Sequence, residues 1–428
     1  MKVSIFWFRR DLRLSDNTAL IHALNSDNKV QPIFIFDSQI IDELPDDDPR
    51  VNFIYQSLDE INKSLIQKGG SIDVRKGNVL DIWADLLSSY DISEVYINKD
   101  HEPYAVQRDQ QVRDLLSTHN IVLKEYKDQT IFEGNEIVKN DGLPYTVYTP
   151  YRNKWMQHFA DVDLTTSHST DLSNLHQHSI DFPSAASLGF RTSLISVRPF
   201  DLTTLASYAV NRDRPDKNAT SYLGPHLRFG TVSVRQIIEQ TAEQSAVFLN
   251  EIIWREFFMQ ILYHFPRVVN SNFKKKYDLI EWRNDESEFE KWCQGKTGYP
   301  MVDAGMRQLN ATGYMHNRVR MITAGFLCKH LLIDWQWGEA YFAHKLLDFE
   351  LAANNGNWQW AAGTGCDAAP YFRIFNPMTQ HQKFDPQSRY VKKWVPEYGT
   401  TEYPAPMVDH AFARERALSV YKIGLSKY

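Results

Sequence analysis

VSIFWFRRDLRLSDN, residues 3–17, decides how the first part of the chain folds. Its six uncharged residues stop at Arg9, Arg10 and Asp11, too short for a secretory apolar region or a membrane span and suited to a buried strand. Ser15 or Asp16 then offers a helix N-cap. Working outward, strand patterns recur at residues 30–36, 72–75, 93–97 and 121–126. Between them run amphipathic stretches such as 52–67, where Phe53, Ile54, Leu58, Ile61 and Leu65 fall at helical spacing. Short buried strands alternating with helices imply right-handed βαβ crossovers. A doubly wound α/β domain with a five-stranded parallel sheet is therefore expected over residues 1–130. No G-x-G-x-x-G follows the first strand, which argues against a Rossmann-type dinucleotide site there.

Residues 160–200 are rich in Ser, Thr, Asp and His with little periodicity, and an interdomain linker is expected over 131–200. From 201 to 428 the strand signal vanishes and an all-α domain is expected. With 428 residues, 43% apolar and 23% charged, disorder and disulfide scaffolds are excluded. Cys293, Cys328 and Cys366 show no CxxC spacing, which points to a reducing compartment and away from structural zinc. No apolar run is long enough to cross a membrane, so a cytoplasmic chain is expected. The 14 histidines include no H-E-x-x-H, and no metal site is expected. The net charge of -6 divides unevenly: residues 1–200 carry 20 basic and 29 acidic groups, residues 201–428 carry 27 and 24. Any phosphate-binding surface is expected in the second half, as a local patch. That half also holds eight of the 11 tryptophans, from Trp254 to Trp394.

Several segments there could carry chemistry. In NEIIWREFF, residues 250–258, Glu251 and Trp254 share a helix face, with Phe258 one turn further. A carboxylate beside an indole can grip a flat ligand with polar edges, or be a core Trp next to a surface ion pair. In MHNRVRM, residues 315–321, Asn317, Arg320 and Met321 line one side of a helix and Arg318 lies on another. An Arg among apolar residues calls for an acid, and Asp348 or Glu350 of DFE can supply it, as a structural bridge or while orienting a ligand. Asn354 and Trp358 share a face, whereas Trp358 and Trp360, two apart, cannot. Thr220 and Ser221 stand before an apolar turn with Pro225, and hydroxyls and amides at a helix start can cradle phosphate.

WFRRDLRLSDN, TSYLGPHLRFG, NEIIWREFF, KTGYPMVDAGMRQLNATGYMHNRVRM, DFELAANNGNWQW and DAAPYFRIFNP, in this order, resemble the photolyase/cryptochrome flavoprotein family. The likeness covers nearly the whole chain and is strongest to class I photolyases that repair cyclobutane pyrimidine dimers. It implies an all-α FAD-binding domain after the α/β domain. FAD would meet Thr220, Ser221, Tyr222, Leu223 and Gly224, with Tyr208 and Phe248 nearby. The family usually has Ser where Gly224 stands. Asp348, Phe349 and Glu350 would lie near the flavin and adenine edge, with Asp348 pairing Arg320, although the family often has Asp-Gly-Asp there. Asn354 matches the residue facing flavin N5, where relatives that act as cryptochromes often have Asp or Cys.

Glu251, Trp254, Asn317, Arg318, Met321 and Trp360 match the dimer pocket, with Arg212 and Arg255 holding the DNA backbone. Trp358, Trp335 and Trp282 match a chain that carries electrons from the surface to the flavin, which leaves Trp292, Trp337 and Trp394 as packing residues. The resemblance implies a light-driven lyase acting on UV-damaged DNA: reduced FAD donates an electron to the dimer, the ring opens and the electron returns. A monomer is expected. Over residues 98–109 the EPYA and RD elements are kept, but Tyr104 and Ala105 replace the Asn-Glu pair of folate-binding relatives. The antenna chromophore, whether folate, deazaflavin, flavin nucleotide or none, stays open. The alternatives are a cryptochrome-type photoreceptor, a (6-4) photolyase, which would want His at Asn317 and Arg318, and a plain flavin oxidoreductase.

Overall fold

In β1 (Val3–Phe8), Phe6 and Phe8 point into one core while Val3, Ile5 and Trp7 point into another. A strand with apolar side chains on both faces must be covered on both, which is what a doubly wound sheet supplies. The computed structural model describes residues 2–164 and 169–428. β1 lies at the centre of a five-stranded, all-parallel sheet with β2 (Lys29–Asp37), β3 (Asp73–Gly77), β4 (Ile92–Asn98) and β5 (Val122–Tyr126), in the order β3-β2-β1-β4-β5. The crossovers are α1 (Thr18–Leu24), α2 (Pro49–Ile66), α3 (Val79–Ser89) and α4 (Pro103–Thr118). The expected strands are all present, each within two residues of its expected ends.

The N-cap of α1 is Asn17, neither Ser15 nor Asp16. The Asn17 side chain accepts from Leu20 N, while Asp16 sits at φ 47° with its carboxylate on Ser233 and Arg235. At the switch point, where strand order reverses between β1 and β4, the polar groups are spent on one another. Arg9 bonds Asp109 and the Asn98 carbonyl, and Arg10 pairs with Asp100 and Glu102. In the expected antenna stretch, the Tyr104 hydroxyl donates to Asp37 and the Arg108 guanidinium lies 5.0 Å from the Trp7 ring centre.

The chain divides into two compact units whose borders differ from those expected. The stretch 131–200 is not a free linker. Residues 137–157 join the second unit, with most of α5 (Tyr148–Phe159), and 158–200 join the first. There Leu172, Leu175, Leu188 and Phe190 enter the core beside β2, and Val30 N donates to the Asn174 carbonyl. Single apolar residues anchor this segment without making a periodic pattern. Residues 165–168 of it lie outside the described residues. The first unit also takes back 222–243, including α6 (Val234–Thr241). A Cβ on Gly230, at φ 65°, would lie 2.1 Å from the Arg10 carbonyl oxygen, so only glycine permits that approach.

The second unit is helical, as expected: no strand occurs among the described residues after 200. It holds α7 (Ala246–His264), α8 (Glu286–Cys293), α9 (Pro300–Thr312), α10 (Asn317–Gly325), α11 (Trp335–Lys345), α12 (Leu351–Ala362), α13 (Pro377–Phe384) and α14 (His410–Ser426). Among the described residues, no helix is long and apolar enough to cross a membrane.

Candidate functional site

Two glycines open the site. A Cβ on Gly356 of α12 would lie 2.1 Å from the Phe258 ring, and one on Gly338 of α11 would lie 2.1 Å from the Trp358 ring. Side chains at either point would push α12 away from α7 or α11. In the space so shaped, α10, α12 and the turn at 346–350 line an inner cavity. Arg320, Asp348, Phe349, Glu350, Asn354 and Trp358 form its body. An outer cavity is lined by Arg212, Glu251, Trp254, Arg255 and Phe258. Asn317, Met321, Ala353, Asn357 and Trp360 line both, so the two spaces adjoin.

In the inner cavity Arg320 donates to Asp348 Oδ2 at 2.8 Å and to the Met315 carbonyl at 2.8 Å. Asp348 Oδ1 is buried and has no hydrogen-bond partner, so it needs a donor from whatever fills the cavity. The Asn354 amide is held from behind, its nitrogen donating to the Glu339 carbonyl at 3.1 Å. Glu339, unmarked in the sequence reading, lies on α11, and burial pushes its pKa up to about 7. Glu350 lines the cavity, yet its carboxylate accepts from Ala353 N at 2.7 Å as the N-cap of α12.

In the outer cavity Trp254 stacks on Tyr148, centroids 3.6 Å apart and planes 8° apart. Tyr148 is fixed by its hydroxyl, which donates to the Asn250 carbonyl at 3.0 Å. It was missed because it falls in the stretch read as linker. Glu251 pairs with Arg212 at 2.5 Å; burial raises the Glu251 pKa, and Arg212 opposes that rise. The ion pair expected beside Trp254 is present, and it borders a cavity.

Not every expected residue gathers here. Arg318 lines neither cavity: one position from Asn317, it faces elsewhere, bonded to Asp213 at 2.8 Å with its guanidinium 4.5 Å from the Phe384 ring centre. Its place in the pocket is corrected accordingly. Its neighbour His316 caps α10, accepting from Arg318 N at 3.2 Å, and burial lowers its pKa to about 4. Tyr208 and Phe248 meet edge to face at 5.3 Å, outside the lining of either cavity. Thr220 and Ser221 belong to the second unit, and Tyr222, Leu223 and Gly224 to the first. Trp335 is buried and donates to Asn272 Oδ1 at 2.9 Å, and Trp282 lies edge-on to Tyr421 at 5.9 Å.

A family model described as DNA photolyase matches residues 4–170, and one described as the FAD binding domain of DNA photolyase matches 248–402. The deoxyribodipyrimidine photo-lyase of Vibrio cholerae is 35% identical, over 98% of this chain and 99% of its own. The chain belongs to the DNA photolyase family. It is a DNA-repair flavoenzyme of the photo-lyase type, and its helical unit is the FAD-binding one. A class III photolyase from Agrobacterium tumefaciens matches with a TM-score of 0.88 and 34% identity, covering 100% of this photolyase and 98% of that chain. An archaeal photolyase from Sulfolobus tokodaii, described with two FAD molecules, matches at 0.86 and 33% over 98% and 100%. The motifs resemble class I most, whereas the Agrobacterium structure is of class III. The photolyase's residues fit FAD: the cofactor carries ring, ribityl and adenine donors that can satisfy Asp348 Oδ1.

Proposed function

We propose that this photolyase splits cyclobutane pyrimidine dimers in DNA under blue light, with FAD in the inner cavity and the dimer in the outer one. What carries the reading is the lining that the two spaces share. Two ligands that both touch Asn317, Met321 and Trp360 would lie side by side, which suits direct electron exchange. FAD, when bound and reduced, supplies the light-driven one-electron donor.

The chain's own residues do the rest. Asp348 and Arg320 orient the cofactor, and Asn354, held by the Glu339 carbonyl, presents a neutral amide that adds no charge. Trp254, backed by Tyr148, and Trp360 offer flat faces for the extruded bases, which stack poorly in the duplex and so cost less to extrude. Glu251, with its raised pKa, and Asn317 hydrogen-bond the polar edges of the dimer. Arg212 and Arg255 meet the phosphates, so affinity falls with salt. Trp358, beside the inner cavity, refills the cofactor's electron, with Trp335 and Trp282 behind it. Any antenna belongs to the first unit, and its chemistry stays open.

The decisive experiment is repair itself. Purified, reduced protein is incubated with a thymine-dimer oligonucleotide in blue light and in darkness, and restored thymine is measured. Restoration in the light alone is expected; none in either condition overturns the proposal.

A further inference from the structure

We propose that Lys329 tunes the cofactor electrostatically: its buried ammonium stands beside the inner cavity and steadies the negative charge that reduction adds there. The inference rests on the reading that FAD fills the inner cavity. Lys329 is carried by a π-helical turn, Phe326–Leu331, between α10 and α11, and is 2% exposed. Such turns often mark functional sites. Its Nζ donates to the Ala362 carbonyl at 2.6 Å, at the C-terminal end of α12, and stands 3.8 Å from the centre of the Tyr421 ring. A helix C-terminus and an aromatic face both favour a cation. Lys329 also lines a small recess with Arg373. Met321, Trp360 and Ala361 line both this recess and the inner cavity, so the two spaces adjoin.

What Lys329 lacks is an anion. Burial keeps Cys328, on its own turn, and Tyr421, on α14, protonated, and holds the neighbouring His330 neutral by lowering its pKa to about 3. Arg373 is a second cation, but it is exposed and its charge is screened by solvent and salt. Among the described residues no carboxylate pairs with Lys329, and burial lowers its pKa to about 7, so the charge is only half present at neutral pH. An electron added to the cofactor next door supplies the missing negative charge. The coupling is reciprocal: reduction raises the affinity of Lys329 for a proton, and the proton raises the affinity of the cofactor for the electron. Lys329 takes that proton from water as the electron arrives and returns it to water when the electron leaves.

The test is a redox titration of the full-length, flavin-loaded protein with dithionite, followed by flavin absorbance at steps from pH 6 to pH 10. At pH 6, where Lys329 is charged, the midpoint potential of the parent should lie above that of Lys329→Met. The gap should shrink toward pH 10 as Lys329 loses its proton. Lys329→Arg, charged throughout, should keep the gap open at pH 10. Lys329→Gln is neutral but can still donate to the Ala362 carbonyl, which the Tyr421 hydroxyl also reaches at 2.7 Å. It should follow Lys329→Met, and it keeps the test sound should that variant fold poorly. No gap, or a gap of equal size at every pH, overturns the inference, because a lost helix cap alone would shift all the potentials alike. Asp348→Asn is run beside them for flavin retention. If retention is unchanged, the cofactor does not fill the inner cavity, and the inference falls with that reading.

Discussion

Asp128 in the first unit and Asp348 in the second are both acids held by arginine, and they end in opposite states. Asp128 is saturated: Arg13 reaches Oδ2 at 2.7 Å, Arg235 reaches Oδ1 at 2.8 Å, and the Thr18 hydroxyl adds a bond at 3.0 Å. Burial would raise its pKa, but the two guanidiniums outweigh burial and hold the carboxyl below its usual value. Asp348 has one oxygen on Arg320 and the other buried with nothing to accept. A saturated buried acid locks a scaffold together. One left half-used at the edge of a cavity is waiting for a ligand.

The largest test of that contrast is Asp128→Ala. It leaves the buried Arg13 guanidinium without a carboxylate, while Arg235 keeps Asp16, and should cost about 3–5 kcal/mol in urea unfolding. A loss below about 1 kcal/mol would mean that the network is ornament. Asp348→Asn should leave stability nearly unchanged but weaken flavin retention, read as the ratio of flavin to protein absorbance. A hydrogen bond to a charged group is worth about 1.5–3 kcal/mol, so the affinity loss should be tenfold or more. Unfolding without loss of flavin affinity would reverse the comparison.

Trp254→Ala should cost about 1–3 kcal/mol in affinity for a dimer-containing oligonucleotide, because it removes a stacking face, with undamaged DNA much less affected. Equal losses on both DNAs would break the assignment of the outer cavity. The smallest effect concerns Glu339. Its folded pKa, about 7, lies above the ordinary 4.5, so this group costs stability as pH rises through that interval, and the cost is fully present above it. Glu339→Gln should therefore raise the melting temperature relative to the parent at pH 8 and not at pH 4. A gap that opens only at low pH would contradict the burial of Glu339.

How legible each part was depended on the range of the interactions that make it. β1 was readable because both of its faces are buried, which leaves an unbroken apolar run in the sequence. The N-cap of α1 slipped to Asn17 because Asp16 takes a left-handed backbone and gives its carboxylate to Ser233 and Arg235, partners distant in the chain. Asn317, Met321 and Trp360 could be paired with the outer cavity by resemblance, but Arg318 could not be excluded from it without knowing that Asp213 holds it. Tyr148 and Glu339 carry no local signal at all. One matters through a ring stacked on it, the other through the desolvation of its carboxyl.

By itself the sequence determined the alternation of strands and helices, the order of motifs that marks the photolyase family, and which helix faces carry tryptophan, carboxylate and amide. These follow from backbone periodicity and from residue types a few positions apart. Only the tertiary structure decided where the unit borders run, which acid is left with an empty oxygen, and which ring backs Trp254. Desolvation, hydrogen-bond saturation and ring contact act over a few ångströms between segments far apart in the chain, and spacing along the sequence does not record them.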